Sequence, residues 1–187
     1  MEKNGIYWKL LEFTFLSVVE ISKFFKGILM LEFYGEDRCL VDANGRIRLN
    51  QRLVDDFLRK CNGEVVMYVL PEGAVALYPE ETYREMRARE VSDADNAGAS
   101  FAARRSLRRF GSLTMAATLT KQGRVTLPER FRKLTGLYPG VEACVVGVEI
   151  GAEIWTSERF DAEMEETDIQ LEKQREIEYN SLTEGAK

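Results

Sequence analysis

Two arginines stand out for what they could do chemically. Arg46 follows Asn44-Gly45, and Arg124 follows Gln122-Gly123. The guanidinium is a planar fork of donors that fits two phosphate oxygens or the acceptor edge of guanine, so it can grip or read nucleic acid without making or breaking a bond. A Gly-Arg step behind a turn is also the ordinary make-up of a solvated hairpin tip. Spacing alone leaves both readings open. Asp42 admits two readings as well, either a turn-forming carboxylate or a group that orients Arg46. Arg48, Lys121, Arg52 and Arg130 lie close by in sequence. They add either attraction for phosphate, which depends on salt, or plain solubilising charge.

Other chemistry is poorly provided for. The 187 residues contain no histidine, which removes every Ser-His, Cys-His and His-metal arrangement. The three cysteines, Cys39, Cys61 and Cys144, are odd in number and far apart, which fits neither a disulfide framework nor a zinc site. Without a nucleophile-base pair, a phosphate loop or a metal-ligand cluster, an enzyme is the least favoured class. The expectation is no cofactor, no metal and no small-molecule substrate.

The formal charge of −5 at first argues against a polyanionic partner, but it is unevenly spread. From Ser157 to Lys187 there are ten acids and four bases, so the rest of the chain holds 21 acids and 22 bases. A near-neutral body can still present a basic face, because binding depends on how many cations reach the phosphates. The acidic tail reads as a solvated helix or an extension without fixed structure.

The chain repeats itself at an offset of 78. Asn44-Gly45-Arg46-Ile47-Arg48-Leu49 falls on Gln122-Gly123-Arg124-Val125-Thr126-Leu127. Arg52 falls on Arg130, Glu64 on Glu142, and the apolar run Val65 to Leu70 on Ala143 to Val148. After a one-residue slip Leu77-Tyr78 matches Ile154-Trp155, a repeated pair that reads as core or interface. Each copy predicts a strand, a tight turn, a strand, a short helix and a hairpin. Asn44-Gly45 is a hairpin dipeptide whose two residues both tolerate positive φ. Asn50 is a good N-cap for the first helix, and Pro128 suits a first helical position in the second. The hairpins close at Pro71-Glu72-Gly73 and Glu149-Ile150-Gly151. Between the copies, Pro79-Glu80-Glu81 starts a helix and the small, polar stretch Ser92 to Ser100 reads as a loop. Phe101 to Phe110 reads as a second helix carrying Arg104, Arg105, Arg108 and Arg109. That helix is expected to pack on the module, its arginines bridging to acids, with a basic face for DNA as the alternative. Such small modules need a partner to complete a core, and a tandem copy supplies one in the same chain. The two copies are expected to interlock with pseudo-twofold symmetry.

These residues resemble the MraZ family, within the SpoVT-AbrB type of swapped-hairpin fold. The family carries a D-x-x-x-R signature in each half. Asp42-Ala43-Asn44-Gly45-Arg46 matches it in full, whereas Thr120-Lys121-Gln122-Gly123-Arg124 keeps Arg but has Thr in place of Asp. Lys121 to Pro128 followed by Leu134-Thr135-Gly136-Leu137 also resembles the family's second half. Asn50 departs from the family, which usually has Pro there. The resemblance implies an α+β, mainly β protein, a tandem-duplicated swapped-hairpin β-barrel with short helices. The divisions are an extension over 1–29, a module over 30–79, a helical linker over 80–114, a module over 115–156, and an acidic tail over 157–187.

It also implies a cytoplasmic, nucleoid-associated regulator, a repressor by expectation. Such a regulator binds double-stranded DNA at promoter repeats of the division and cell-wall gene cluster and assembles as a homo-oligomeric ring. Its DNA-binding residues are then Arg46, Arg124, Asp42, Gly45, Gly123, Arg48 and Lys121. Family members begin a few residues before the first strand, which makes Met30 a credible native start and residues 1–29 translated upstream sequence. The alternative for Ile6 to Met30 is an amphipathic helix; its longest uncharged run, Phe13 to Val19, is far short of the roughly 20 residues that span a bilayer. Two other functions compete with DNA regulation: an antitoxin-like protein that binds a toxin, and a membrane-associated scaffold anchored through residues 6–30.

Overall fold

In the computed structural model the described residues are 32–94 and 101–184, so the first-segment alternatives lie outside the described residues. Among the described residues eight strands and five helices follow one another as β1 (Glu36–Leu40), β2 (Arg46–Arg48), α1 (Gln51–Cys61), β3 (Glu64–Val69), β4 (Val75–Pro79), α2 (Glu80–Ala94), α3 (Phe101–Ser112), β5 (Thr114–Thr118), β6 (Arg124–Thr126), α4 (Glu129–Thr135), β7 (Glu142–Gly147), β8 (Ala152–Thr156) and α5 (Ser157–Glu184). The strand–strand–helix–strand–strand–helix order thus occurs twice, with α3 inserted between.

The strands do not pair within their own halves alone. A six-stranded sheet runs β1-β7-β8-β4-β3-β5, and β2 and β6 form a separate two-stranded ribbon. Every pairing is antiparallel. β1 lies on β7, with Arg38 opposite Cys144, and β5 lies on β3, with Ala116 opposite Val66. Each outer strand therefore completes the other half's hairpin. Read from either edge, the sheet meets equivalent strands in the same order.

Backbone bonds around the ribbon repeat the exchange. Leu49 N–H donates to the Gly123 carbonyl at 2.8 Å, and Leu127 N–H donates to the Gly45 carbonyl at 2.9 Å. Ile47 and Val125, directly opposite in the ribbon, point into the core and are fully buried. They join Leu49, Leu53, Phe57, Leu119, Leu127 and Phe131 in one apolar cluster. A smaller cluster of Ala74, Cys144, Trp155 and Phe160 forms where α5 leaves the sheet. Trp155 and Tyr78 are both buried.

The helix starts are built differently. Asn50 caps α1, its side-chain oxygen accepting from Leu53 N–H at 2.9 Å. Pro128 occupies the cap of α4 itself, one residue before its expected position, and makes no side-chain bond. Asn50 in place of the family's Pro is thus a second way of starting the same helix: a side-chain acceptor replaces a preset φ.

Three expectations are corrected. The strands form no closed barrel, because β2 and β6 are three residues long, leave the sheet at tight turns and pair only with each other. Nor is the fold mainly β, because α2 and α5 are long at 15 and 28 residues. The loop expected over Ser92 to Ser100 does not start at Ser92, since α2 continues through Ala94; residues 95–100 lie outside the described residues. Among the described residues no helix is long and apolar enough to cross a membrane.

Two consequences can be measured by urea denaturation. Asn50→Ala removes the α1 cap and is expected to cost about 1 kcal/mol. Gly45 and Gly123 both sit at positive φ, +72° and +77°, but a Cβ on Gly45 would meet only the movable end of Arg132. On Gly123 it would stand 2.8 Å from the Leu49 carbonyl oxygen. Gly45→Ala should therefore lose about 1 kcal/mol, and Gly123→Ala clearly more.

Candidate nucleic-acid interface

The ribbon's outer face follows from strand alternation. With Ile47 and Val125 turned inward, their immediate neighbours must face outward: Arg46 and Arg48 on β2, Arg124 and Thr126 on β6, all four exposed. Arg46 lies opposite Thr126 and Arg48 opposite Arg124. Three guanidinium groups thus share a face two strands wide. Like charges placed directly across a strand pair destabilise it. No hydrogen bond or ion pair from a described acid relieves the side chains of Arg46, Arg48 or Arg124. An arrangement that is unfavourable alone becomes favourable against a polyanion.

The turns leading into the ribbon are matched. In the first, Gly45 N–H donates to the Asp42 carbonyl and Asp42 N–H to the Arg46 carbonyl, both at 2.9 Å. In the second, Gly123 N–H donates to the Thr120 carbonyl and Thr120 N–H to the Arg124 carbonyl. In each turn glycine alone takes the positive φ; Asn44 does not.

Asp42 does not grip the guanidinium of Arg46. Its Oδ1 accepts from the backbone N–H groups of Asn44 at 2.8 Å and Arg46 at 2.9 Å. Thr120 does half of this work, its Oγ1 accepting from Arg124 N–H at 3.0 Å. The Asp-to-Thr departure therefore keeps the bond that fixes the backbone of the arginine and drops the one to the turn residue. Both arginines are positioned through their own amides, and their side chains stay free to meet a ligand. Losing the carboxylate also removes one negative charge beside Arg124.

The remaining cations divide. Lys121 is exposed at the tip of the second turn, and Arg130 is exposed on α4. Arg52 lies over the ring of Tyr34, a cation–π contact that gives its stem a packing role. Arg109 ties α3 to the sheet by donating to the Tyr68 hydroxyl at 3.0 Å and the Val69 carbonyl at 3.2 Å. The helix is packed as expected, but these acceptors are a phenol and a carbonyl instead of acids. Arg132 was not singled out by the sequence, yet its guanidinium packs against Gly45 at the base of the first turn. Only the strand-exchanged pairing brings it there, so no local signal marks it.

Burial raises the thiol pKa of all three cysteines, that of Cys144 to about 12. They stay protonated and weakly nucleophilic at neutral pH. Among the described residues no group of His, Cys, Asp and Glu could hold a metal ion.

Comparison with known proteins converges on one family. The family model for the MraZ protein, described as antitoxin-like, matches residues 113–179. A transcriptional regulator MraZ of Lachnoclostridium phytofermentans is 30% identical over 131 residues, covering 70% of this chain and 85% of that protein. One from Moorella thermoacetica is 29% identical over 147 residues, 75% of this chain and 92% of the relative. One from Bacteroides fragilis is 26% identical over 135 residues, 71% and 82% of the two chains. The family model covers the second turn, β6 and the elements that follow into α5. The chain belongs to the MraZ family of transcriptional regulators.

Proposed function

We propose that this chain regulates transcription by binding double-stranded DNA through the arginine face of its ribbon. The observation that carries the reading is the trio Arg46, Arg48 and Arg124, exposed on one face, with two of them directly opposed. A two-stranded ribbon fits the major groove of B-DNA, where arginine can pair with guanine by two hydrogen bonds. Lys121 at the turn tip is placed to meet phosphate. Asp42, Thr120, Gly45 and Gly123 act through the backbone by holding the turns. In this reading the two halves are copies of one SpoVT-AbrB-like module with exchanged hairpins.

The finer parts of the proposal rest on the family. The chain works as a repressor at promoter repeats of the division and cell-wall gene cluster, in the cytoplasm and at the nucleoid. It assembles as a homo-oligomeric ring, so that several ribbons engage repeated sites at once and weak individual contacts add up to tight binding. The antitoxin-like description of the family model favours one second reading, capture of a toxin protein. A toxin-sized reading frame beside the gene, and a complex that survives loss of the ribbon arginines, would support it.

DNA fragments selected from a random pool by the whole protein supply the binding site for a titration. The double variant Arg46→Ala/Arg124→Ala is expected to lose binding while its assembly size by light scattering stays that of the parent. Unaltered binding would overturn the DNA reading.

A second prediction separates stability from function. Arg48→Thr gives β2 the same residue that β6 has at Thr126 and removes the like-charge pair with Arg124. It should raise stability by about 0.2–1 kcal/mol while weakening DNA binding. A variant that is both less stable and equally tight would contradict the assignment.

A further inference from the structure

The two turns are equivalent in backbone but differ in what supports them. Gly123 packs against the Val54 methyl group, whereas Gly45 packs against the guanidinium of Arg132. Val54 and Arg132 are 78 residues apart and occupy the same place on α1 and α4. Two changes therefore coincide. The turn with the acid, Asp42, has a cation behind it, and the turn with the neutral Thr120 has a hydrocarbon.

Arg132 is unusual for a half-buried arginine. Its Nε is buried and has no hydrogen-bond partner. Its side chain makes no hydrogen bond or ion pair with another described residue, and Glu129 one turn earlier is held by Lys133 at 2.6 Å. A guanidinium has five donors and no acceptor, and burying a donor without a partner is costly. If Arg132 served only to fill space, valine would do so without that cost, as Val54 does.

We infer that Arg132 is a further DNA-contacting residue, a fourth guanidinium that meets a backbone phosphate beside the first turn. The inference rests on the DNA reading above and adds to it a residue outside the ribbon. The Nη groups, which are not enclosed as Nε is, are the atoms that a phosphate oxygen reaches, and that oxygen supplies an acceptor the protein does not. The cation also offsets the repulsion that the Asp42 carboxylate exerts on the approaching backbone. The second turn has no such carboxylate, so it needs no such cation. The two ends of the ribbon then hold DNA unequally, with the extra electrostatic grip at the Asp42 end.

The test compares the parent, Arg132→Val, Arg132→Lys and Arg46→Ala/Arg124→Ala on the selected DNA at several salt concentrations, with thermal unfolding measured alongside. Arg132→Val copies the arrangement at the second turn. It should reduce the steepness of log affinity against log salt by about 0.9 per binding unit, the contribution of one phosphate contact. Its melting temperature should not fall, and Arg132→Lys should keep the parent's slope. A parental slope in Arg132→Val overturns the inference whatever happens to its melting temperature, since a residue that only props the turn changes stability and leaves the slope alone. Should the Val variant not fold, Arg132→Gln reads the same slope. If that result comes with lost binding in Arg46→Ala/Arg124→Ala, only the role of Arg132 fails. If the ribbon variant binds as the parent does, the DNA reading and this inference fail together.

Discussion

Neither half of this chain can complete its own sheet. β1 has its partner in β7, β5 has its partner in β3, and the ribbon takes one strand from each half. The two bonds from Leu49 N–H to the Gly123 carbonyl and from Leu127 N–H to the Gly45 carbonyl tie each strand's exit to the other half's turn. Ile47 and Val125 then enter the core together, which leaves Arg46, Arg48 and Arg124 no direction but outward. The arginine face is a by-product of burying two aliphatic side chains through a mutual exchange. It exists in neither half separately.

That constraint explains what could be read from the sequence and what could not. The turns, helix starts and hairpins were legible because each depends on a few neighbouring residues: Asn50 as the cap of α1, Gly73 and Gly151 in the hairpin turns. The partner of each strand was not, because alternation tells which face a residue takes and says nothing about which strand lies beside it. Hence Arg46, Arg48 and Arg124 could be named as candidates, while the direct opposition of Arg48 and Arg124 became visible only with the register. Arg132 was missed for the same reason, since its neighbour Gly45 is 87 positions away in sequence. The expected barrel gave way to an open six-stranded sheet and a separate ribbon, because β2 and β6 pair with each other and with no strand of that sheet.

The signature acid has a more modest and more general task than aiming a guanidinium. Asp42 and Thr120 both fix the amide of the arginine four residues on, so a hydroxyl can stand in for a carboxylate without moving the strand. What changes with the substitution is charge. On the proposed DNA reading an acid near the arginine face opposes phosphate, and the structure sets Arg132 behind the turn that has the acid and Val54 behind the turn that lacks it. Backbone geometry is shared by the two halves, and their electrostatics are not. The chain's net acidity belongs elsewhere, along α5.

The halves open and close as one unit because their strands are exchanged. Native-state hydrogen exchange at Leu49 and Leu127 tests it most directly, since each amide donates into the opposite half. Both should exchange only through global unfolding, with equal opening free energies that fall together when either half is destabilised. If one of them opened at low free energy while the other stayed protected, the halves would be separate folding units and the shared ribbon could not be the basis of the interface.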